Sequence, residues 1–246
     1  MLSSFLQSLH RKIAARRHIG MIRATGGLPA VTAVKAARLS YLGYNKFARI
    51  CQTIDQIKKA GVRGDYLEAG CALGGSSIVI GALRPAATGF RIHDVFGMIP
   101  PPSAQDTPDV IERYQTILAG KAKGLDGDPY YGYMENLRDV VTANLTRHLT
   151  PAQRQHIQLV EGLVQDTLVV DGPVAFAHID VDWYDPVMVC LQRIVPQLSP
   201  GGAIILDDYF DWGGCRKAVD EFLASPAGKT LKVDAGLGSL RLTRIA

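Results

Sequence analysis

Apolar residues recur along this chain in two rhythms. Short runs at Tyr66–Ala69, Gly89–His93, His156–Val160, Val174–Ile179, Ala203–Leu206, Leu231–Val233 and Leu240–Ile245 have the length of sheet strands. Between them, apolar positions return every three or four residues. Val187, Leu191, Ile194, Val195 and Leu198 make one helical face. Phe47, Ile50, Cys51, Ile54 and Ile57 make a second over Tyr44–Ala60, and Cys215, Ala218, Val219, Phe222 and Leu223 a third. Further helices are expected from Gly75 to Leu83 and over Glu135–Leu149. Strand, helix and strand between Val174 and Leu206 make a βαβ unit, whose two strands should be parallel neighbours. The expected fold is α/β: one doubly wound, mostly parallel, seven-stranded sheet ending in an antiparallel hairpin around Gly236 and Gly238.

Two stretches stand outside this alternation. Residues 1–26 read as an amphipathic helix, with Leu2, Phe5, Leu6, Leu9 and Ile13 on one face and positive charge clustered from Arg11 to His18. It lacks the apolar core and cleavage site of a secretory signal. A Gly-Gly-Leu-Pro break at Gly26–Pro29 ends it. Residues 1–43 are therefore expected to form a basic helical arm, and 44–246 the main domain. The second stretch, about 97–134, contains three prolines at Pro100–Pro102, which favour extended chain, and the cluster Tyr130, Tyr131 and Tyr133. It is long enough to be a lid over a substrate.

Composition narrows the class. The chain has 246 residues, enough for one α/β domain, and no apolar run of the roughly 18 residues that span a membrane. Cys51, Cys71, Cys190 and Cys215 are widely separated, which argues against zinc and disulfides and predicts a reducing, cytoplasmic location. The net charge of +4 is uneven: residues 1–54 hold nine Lys or Arg and no acid, and the remainder 18 basic against 23 acidic residues. Three roles compete for the basic arm: packing on the body or a second subunit, peripheral membrane contact, or a grip on an anionic substrate. Packing is favoured, and an amphipathic arm makes a homo-oligomer the expected state. Nucleic acid is not expected, because no aromatic residues interleave with the charges and the body is acidic.

The chemistry gathers at strand ends. Val174–Ile179 runs into Asp180 and Asp182, and Ala203–Leu206 into Asp207 and Asp208. Ligands of parallel sheets bind beyond the carboxyl ends of the strands. Carboxylates crowded there repel unless some stay protonated or a cation neutralises them. An all-oxygen set suits magnesium or calcium rather than zinc. The plain alternative is an Asp-Asp pair that caps a helix and begins a solvated loop; two such pairs on adjacent strand ends favour the metal site.

Asp65–Leu83 adds a glycine-rich turn between a strand and a helix, with the pattern E-x-G-x-x-x-G-G at Glu68, Gly70, Gly74 and Gly75. It is neither the dinucleotide fingerprint nor a P-loop. A carboxylate on that strand suits a cationic, amine-bearing ligand better than a pyrophosphate. Asp94, at the tip of the next strand and some twenty residues on, stands where nucleotide folds hold ribose hydroxyls; an exposed strand-end acid is the alternative.

Five stretches in order then give the chain a family likeness: YLEAGCALGGSS, HDVFGMIPPP, VEGLVQDTL, HIDVDWYDP and LSPGGAIILDDYFDWGGCRKAVDEF. It resembles the class I S-adenosylmethionine-dependent methyltransferases, which have a Rossmann-like fold, and more closely the macrocin O-methyltransferase family, which methylates sugar hydroxyls. The likeness covers about residues 41–246. It implies that Glu68, Gly70, Gly74, Gly75 and Ser76 hold the methionine part of the cofactor, that Asp94 takes the ribose, and that Asp166 lies near the adenine. It implies Asp180, Asp207 and Asp208 as ligands of magnesium (Mg2+), and a glycosylated small molecule or glycan as acceptor. The family's D-G-D-L-Y-E-S differs here at Val181, Trp183 and Asp185-Pro186, so no particular sugar is carried over.

Methylating an alcohol requires loss of its proton as the methyl group arrives. A cation that stabilises the alkoxide would do most of this, because an ordinary aspartate, with a pKa near about 3.9, is too weak a base alone. Asp182 is the candidate catalytic base, working beside Asp180; a role in orienting the substrate or a metal-bound water is equally open. His93 and His178 read as packed strand residues. Two other functions compete: a catechol-type or other phenolic O-methyltransferase, and a non-catalytic cofactor-binding protein on the same fold.

Overall fold

A computed structural model describes residues 2–245, with side chains from residue 13 onward. The chain opens with α1 (Leu2–Ala24), α2 (Leu28–Ala36) and α3 (Tyr44–Lys59). Seven strands follow: β1 (Asp65–Ala69), β2 (Phe90–Asp94), β3 (Ile157–Glu161), β4 (Val174–Ile179), β5 (Leu198–Leu206), β6 (Leu231–Gly236) and β7 (Ser239–Arg244). Between them lie α4 (Gly75–Leu83), α5 (Pro108–Leu118), α6 (Leu137–His148), α7 (Pro151–Arg154), α8 (Val164–Thr167), α9 (Tyr184–Ile194) and α10 (Gly213–Ala224).

All seven strands form one sheet in the order β3-β2-β1-β4-β5-β7-β6. β3, β2, β1, β4 and β5 pair in parallel, and β7 runs antiparallel to β5 and β6. The expected doubly wound sheet with its terminal hairpin is therefore present. Every residue of β4 is buried because helices cover both faces of the sheet, which is why its sequence is a continuous apolar run. Alternate strand residues feed two cores. Tyr66, Phe90, Ile92, Phe176 and Ile205 face α3 and α4, whereas Leu67, Ala177, Ile179, Ile204 and Leu206 face α9 and α10.

The order of winding fixes where a ligand can sit. From β1 the chain moves outward to β2 and β3, then returns to the other side of β1 as β4. The crossovers diverge at the carboxyl ends of β1 and β4, leaving a crevice there. Asp180 N donates to Ala69 O (2.8 Å) and Gly70 N to His93 O (2.8 Å), so the three strand tips are stitched together at its floor.

Two elements differ from the sequence expectation. The Gly26–Pro29 break does end α1, but a further helix starts within it: α2 carries its proline in the first turn, where the missing N–H has no partner to lose. Ile22, Val31 and Val34 are fully buried with α3 and α4, so the end of the basic arm belongs to the main core. Ile13, expected on an apolar face, is 56% exposed; the face expected at Leu2, Phe5, Leu6 and Leu9 lies outside the described side chains. Second, the 97–134 insertion, expected from its prolines to be extended, holds α5: Val110, Ile111, Tyr114, Ile117 and Leu118 recur at helical spacing, and Pro108 sits in the first turn, where proline is tolerated. The segment is fastened to the body. Trp183 Nε1 donates to Pro100 O (2.9 Å), Tyr184 N to Asp106 Oδ1 (2.8 Å) and Gly213 N to Asp109 Oδ2 (2.9 Å).

Candidate active site

The crevice at the strand tips is a cavity of about 600 Å3, within the range of roughly 300–1,000 Å3 usual for small-molecule sites. Of the residues singled out from sequence, Gly70, Ser76, Asp94, Asp180, Asp182, Asp207 and Asp208 line it. Glu68, Gly74, Gly75 and Asp166 do not. Each has a local reason.

Gly70 lies at φ +82, a left-handed conformation that costs a side chain energy, and a Cβ there would collide with the Asp180 backbone carbonyl. The glycine lets the turn after β1 lie against the end of β4. Gly74 also has positive φ, but a Cβ on it would meet Val141 of α6; one on Gly75 would meet Leu39 O. Those two glycines serve packing around α4, not the cavity wall. Glu68 is fully buried: Oε1 lies 3.0 Å from His178 Nδ1, and Oε2 accepts from Ser77 Oγ. Its carboxylate points into the sheet layer, to Ser77 and His178, and does not line the cavity. Asp166 is exposed on the outer side of α8, and its neighbour Gln165 lines the cavity instead.

Asp94 is spent partly on the glycine turn. Oδ2 accepts from Cys71 N (2.7 Å) and Ala72 N (3.3 Å), and Oδ1 from Phe96 N (2.8 Å). A carboxylate has about four acceptor sites, so one remains toward the cavity. Burial raises its pKa, against the pull of these backbone N–H groups. Ala72 and Phe96, both on this rim, carry positive φ values of 47°. That strain is held by the Asp94 hydrogen bonds.

The acids of β4 and β5 converge. Asp180, Asp207 and Asp208 each offer an oxygen within 4.8 Å of the others. Asp207 and Asp208 begin a 3-10 turn yet are 3% and 5% exposed, so the solvated-loop alternative fails. Burial, then mutual repulsion, raises Asp180 and Asp208 well above the usual carboxylate range. Burial would raise Asp207 too, but His178 and Lys46 hold it below that range. Lys46 Nζ, reaching in from α3, sits 2.6 Å from both Asp207 Oδ2 and Asp211 Oδ2. His178 is wholly buried; burial pulls its pKa down, but Asp207 and Glu68 more than offset this and push it up to about 9.

Asp182 stands apart on a tight turn: its φ is +57, and Trp183 N bonds back to Val181 O (2.5 Å) across it. Its own N–H donates to Asp208 Oδ2 (3.2 Å). Burial, opposed by the Arg113 charge and reinforced by Asp207, pushes its pKa up to about 6. A carboxylate with that affinity accepts a proton far more readily than an exposed aspartate.

Beyond the acids, the expected lid cluster supplies Tyr130 and Tyr131 to the wall and the singled-out Trp183 joins them, whereas Trp212, Lys46 and Arg113 were not expected there. Trp183 and Trp212 meet edge-on at 6.1 Å, and Tyr130 and Tyr131 stack obliquely at 4.5 Å on the opposite side with Arg113 above Tyr130. Lys46 and Arg113 carry no local signal, because helices distant in sequence deliver them.

Comparison with known proteins gives the family. Residues 15–231 fit the family model of macrocin O-methyltransferase (TylF). The chain belongs to the macrocin O-methyltransferase family. A curated relative, the 8-demethyl-8-(2,3-dimethoxy-alpha-L-rhamnosyl)-tetracenomycin-C 4'-O-methyltransferase of Streptomyces olivaceus, is 26% identical over 187 residues, covering 74% of this chain and 66% of the relative. Demethyldecarbamoylnovobiocin O-methyltransferase of Streptomyces niveus is 26% identical over 192 residues, covering 74% and 67%. The match thus spans about two thirds of these relatives' length. Among solved structures, the O-methyltransferase NovP superposes with a TM-score of 0.68 at 21% identity, over 85% of this chain and 83% of that one. The calicheamicin methyltransferase CalS11 gives 0.61 at 17%, over 95% and 92%. Both share the fold. In this macrocin O-methyltransferase family member, the acids beyond β4 and β5 and the turn beyond β1 stand at one crevice.

Proposed function

We propose that this protein is an S-adenosylmethionine-dependent O-methyltransferase acting on a sugar hydroxyl of a glycosylated small molecule, with magnesium as its metal. The observation that carries this reading is the convergence of Asp180, Asp207 and Asp208 beside Asp182 and Gly70 in one cavity. The donor set fits the ion: three carboxylate oxygens close together, with Asp207 Oδ1 buried and without a hydrogen-bond partner among the described residues. The close turn at Gly70 and the free acceptor of Asp94 fit the methionine and ribose of the cofactor.

When bound, the cation would supply Lewis-acid stabilisation of the alkoxide and the cofactor its methyl group. The chain's residues do the rest. Asp182 takes the proton of the acceptor hydroxyl. Asp94 holds the nucleoside end while the Gly70 turn admits the amino-acid end. Trp183, Trp212, Tyr130 and Tyr131 offer flat apolar faces to the sugar ring and exclude water around the hydroxyl. The two named Streptomyces relatives support a glycosylated acceptor. The same aromatic wall favours a phenolic acceptor as the second reading.

Calorimetric titration with S-adenosylhomocysteine, with and without magnesium, tests the core of this. Wild type should bind the cofactor product, and magnesium separately; Asp207→Ala should keep the first and lose the second. Absence of product binding in the wild type refutes the methyltransferase reading. Turnover on sugars but not catechols then separates the two acceptor classes.

A further inference from the structure

Glu68 sits on the strand that leads into the glycine turn, yet it turns away from the cavity. In the β1–β4 ladder it pairs in register with His178, and both side chains are fully buried. Glu68 Oε2 accepts from Ser77 Oγ on α4, and Oε1 meets His178 Nδ1 at 3.0 Å. On its other side, His178 Nε2 points at Asp207 Oδ1, 3.7 Å away, and neither atom has a hydrogen-bond partner among the described residues. Asp207 Oδ2 is held by Lys46 at 2.6 Å. Asp207 is thus held at Oδ2 by Lys46, while its Oδ1 lies within ion-pair distance, but not hydrogen-bonding distance, of the His178 end of a buried chain. That chain runs Ser77, Glu68, His178, Asp207 and crosses α4, β1, β4 and β5.

A core position inside a parallel sheet is ordinarily apolar, since buried polar groups stabilise little and cost much when unpaired. Three adjoining polar positions in such a layer need a use. Partners behind a metal ligand orient it and are often worth as much as a ligand itself.

We propose that Ser77, Glu68 and His178 form a positioning chain that holds Asp207 for a divalent cation, and so couple the helix of the cofactor turn to the metal ligand. This rests on the cation reading given above. None of the three touches substrate or cation; they act through Asp207.

The test uses the full chain, Mn2+ as an EPR-visible probe of the divalent site, S-adenosylhomocysteine by calorimetry, and thermal unfolding. Glu68→Leu and His178→Phe should weaken Mn2+ about 10- to 100-fold, the usual cost of losing such a partner, while S-adenosylhomocysteine affinity stays within about twofold. Glu68→Gln, which keeps an acceptor for His178, should restore Mn2+ affinity. A rescue of this kind distinguishes positioning from simple support of the fold. If Glu68→Leu does not fold, Ser77→Ala removes one link with little loss of volume and should still weaken Mn2+ several-fold. Folded variants that bind Mn2+ as the wild type does overturn the positioning chain alone. A wild type that binds no Mn2+ overturns the cation reading and the chain with it. A wild type that binds no S-adenosylhomocysteine overturns the methyltransferase reading and leaves the Mn2+ result to judge the chain.

Discussion

Lowering the pH should draw stability out of this protein through one residue, His93. It lies at the end of β2 with 2% of its surface exposed and forms part of the cavity wall. Its Nδ1 is 3.4 Å from Thr167 Oγ1, whose proton is already donated to Leu163 O (2.9 Å). Thr167 can therefore only accept, and His93 carries its proton on Nδ1; Nε2 is left buried without a partner. A second proton would have to enter at Nε2. Burial, with the Arg91 charge behind it, lowers the pKa from 6.5 to about 4. In the unfolded chain it returns to about 6.5. Between those values the unfolded state holds a proton that the folded state lacks, so stability is full above pH 6.5 and falls as the pH drops toward 4. At about 1.36 kcal/mol for each pH unit, the loss is at most roughly 3 kcal/mol, a large share of a typical domain's stability. Urea unfolding at several pH values on wild type and His93→Gln measures it. Asp182, raised to about 6, acts with the opposite sign in the same window, but it is common to both proteins and cancels in their difference. The two stability curves should diverge as the pH rises from 4 to 6.5; curves that stay parallel refute the reasoning.

Asp182→Asn should lower kcat by about 10²- to 10⁴-fold with S-adenosylhomocysteine affinity unchanged by calorimetry; a loss under tenfold would make Asp182 an orienting group and not the base. Gly70→Ala should lose at least about 1–2 kcal/mol for the left-handed backbone alone, and S-adenosylhomocysteine binding with it, because the methyl group meets the Asp180 carbonyl; retained binding would exclude the turn from the cofactor site. Lys46→Met removes the cation that shares Asp207, so melting curves should show a lower Tm in EDTA and a larger gain on adding magnesium than wild type shows; equal gains would mean that lysine and metal do not compete.

Local pattern carried most of the architecture into the sequence. Strands such as β4 announced themselves because both faces are buried and every residue is apolar, and the switch-point rule then placed Asp180, Asp182, Asp207 and Asp208 at one rim. What stayed hidden was direction and distance. Glu68 is one residue from the turn it was expected to serve, but strand alternation sends its side chain toward α4 and His178. Asp166 likewise lies one position from the wall residue Gln165 in a single helical turn and does not itself line the cavity. The proline at position 29 misled because a proline ends one helix and begins another equally well. Lys46 and Arg113 could not be found at all: α3 and α5 lie 161 and 69 residues away in sequence from the acids they approach, and only the packed domain brings them in.

The acids that define the site are also where the chain departs most from ordinary packing. Asp94, Asp207 and Asp208 are buried on a rim where apolar residues would stabilise the fold better. Lys46 and His178 offset one of them, Asp207. Among the described residues Asp180 and Asp208 have no such cation in contact, and burial followed by repulsion from the neighbouring aspartates raises their pKa values. A site with this imbalance is most stable with added positive charge in it. The two groups proposed for it, a divalent ion and a sulfonium, both bring that charge, and methyl transfer consumes the charge of the second. The hydroxyl proton on Asp182 replaces that charge at first; once Asp182 releases the proton to solvent, the neutral thioether leaves the carboxylates less well compensated than the sulfonium did. The same electrostatic deficit that costs the empty protein stability therefore favours exchange of spent cofactor for fresh.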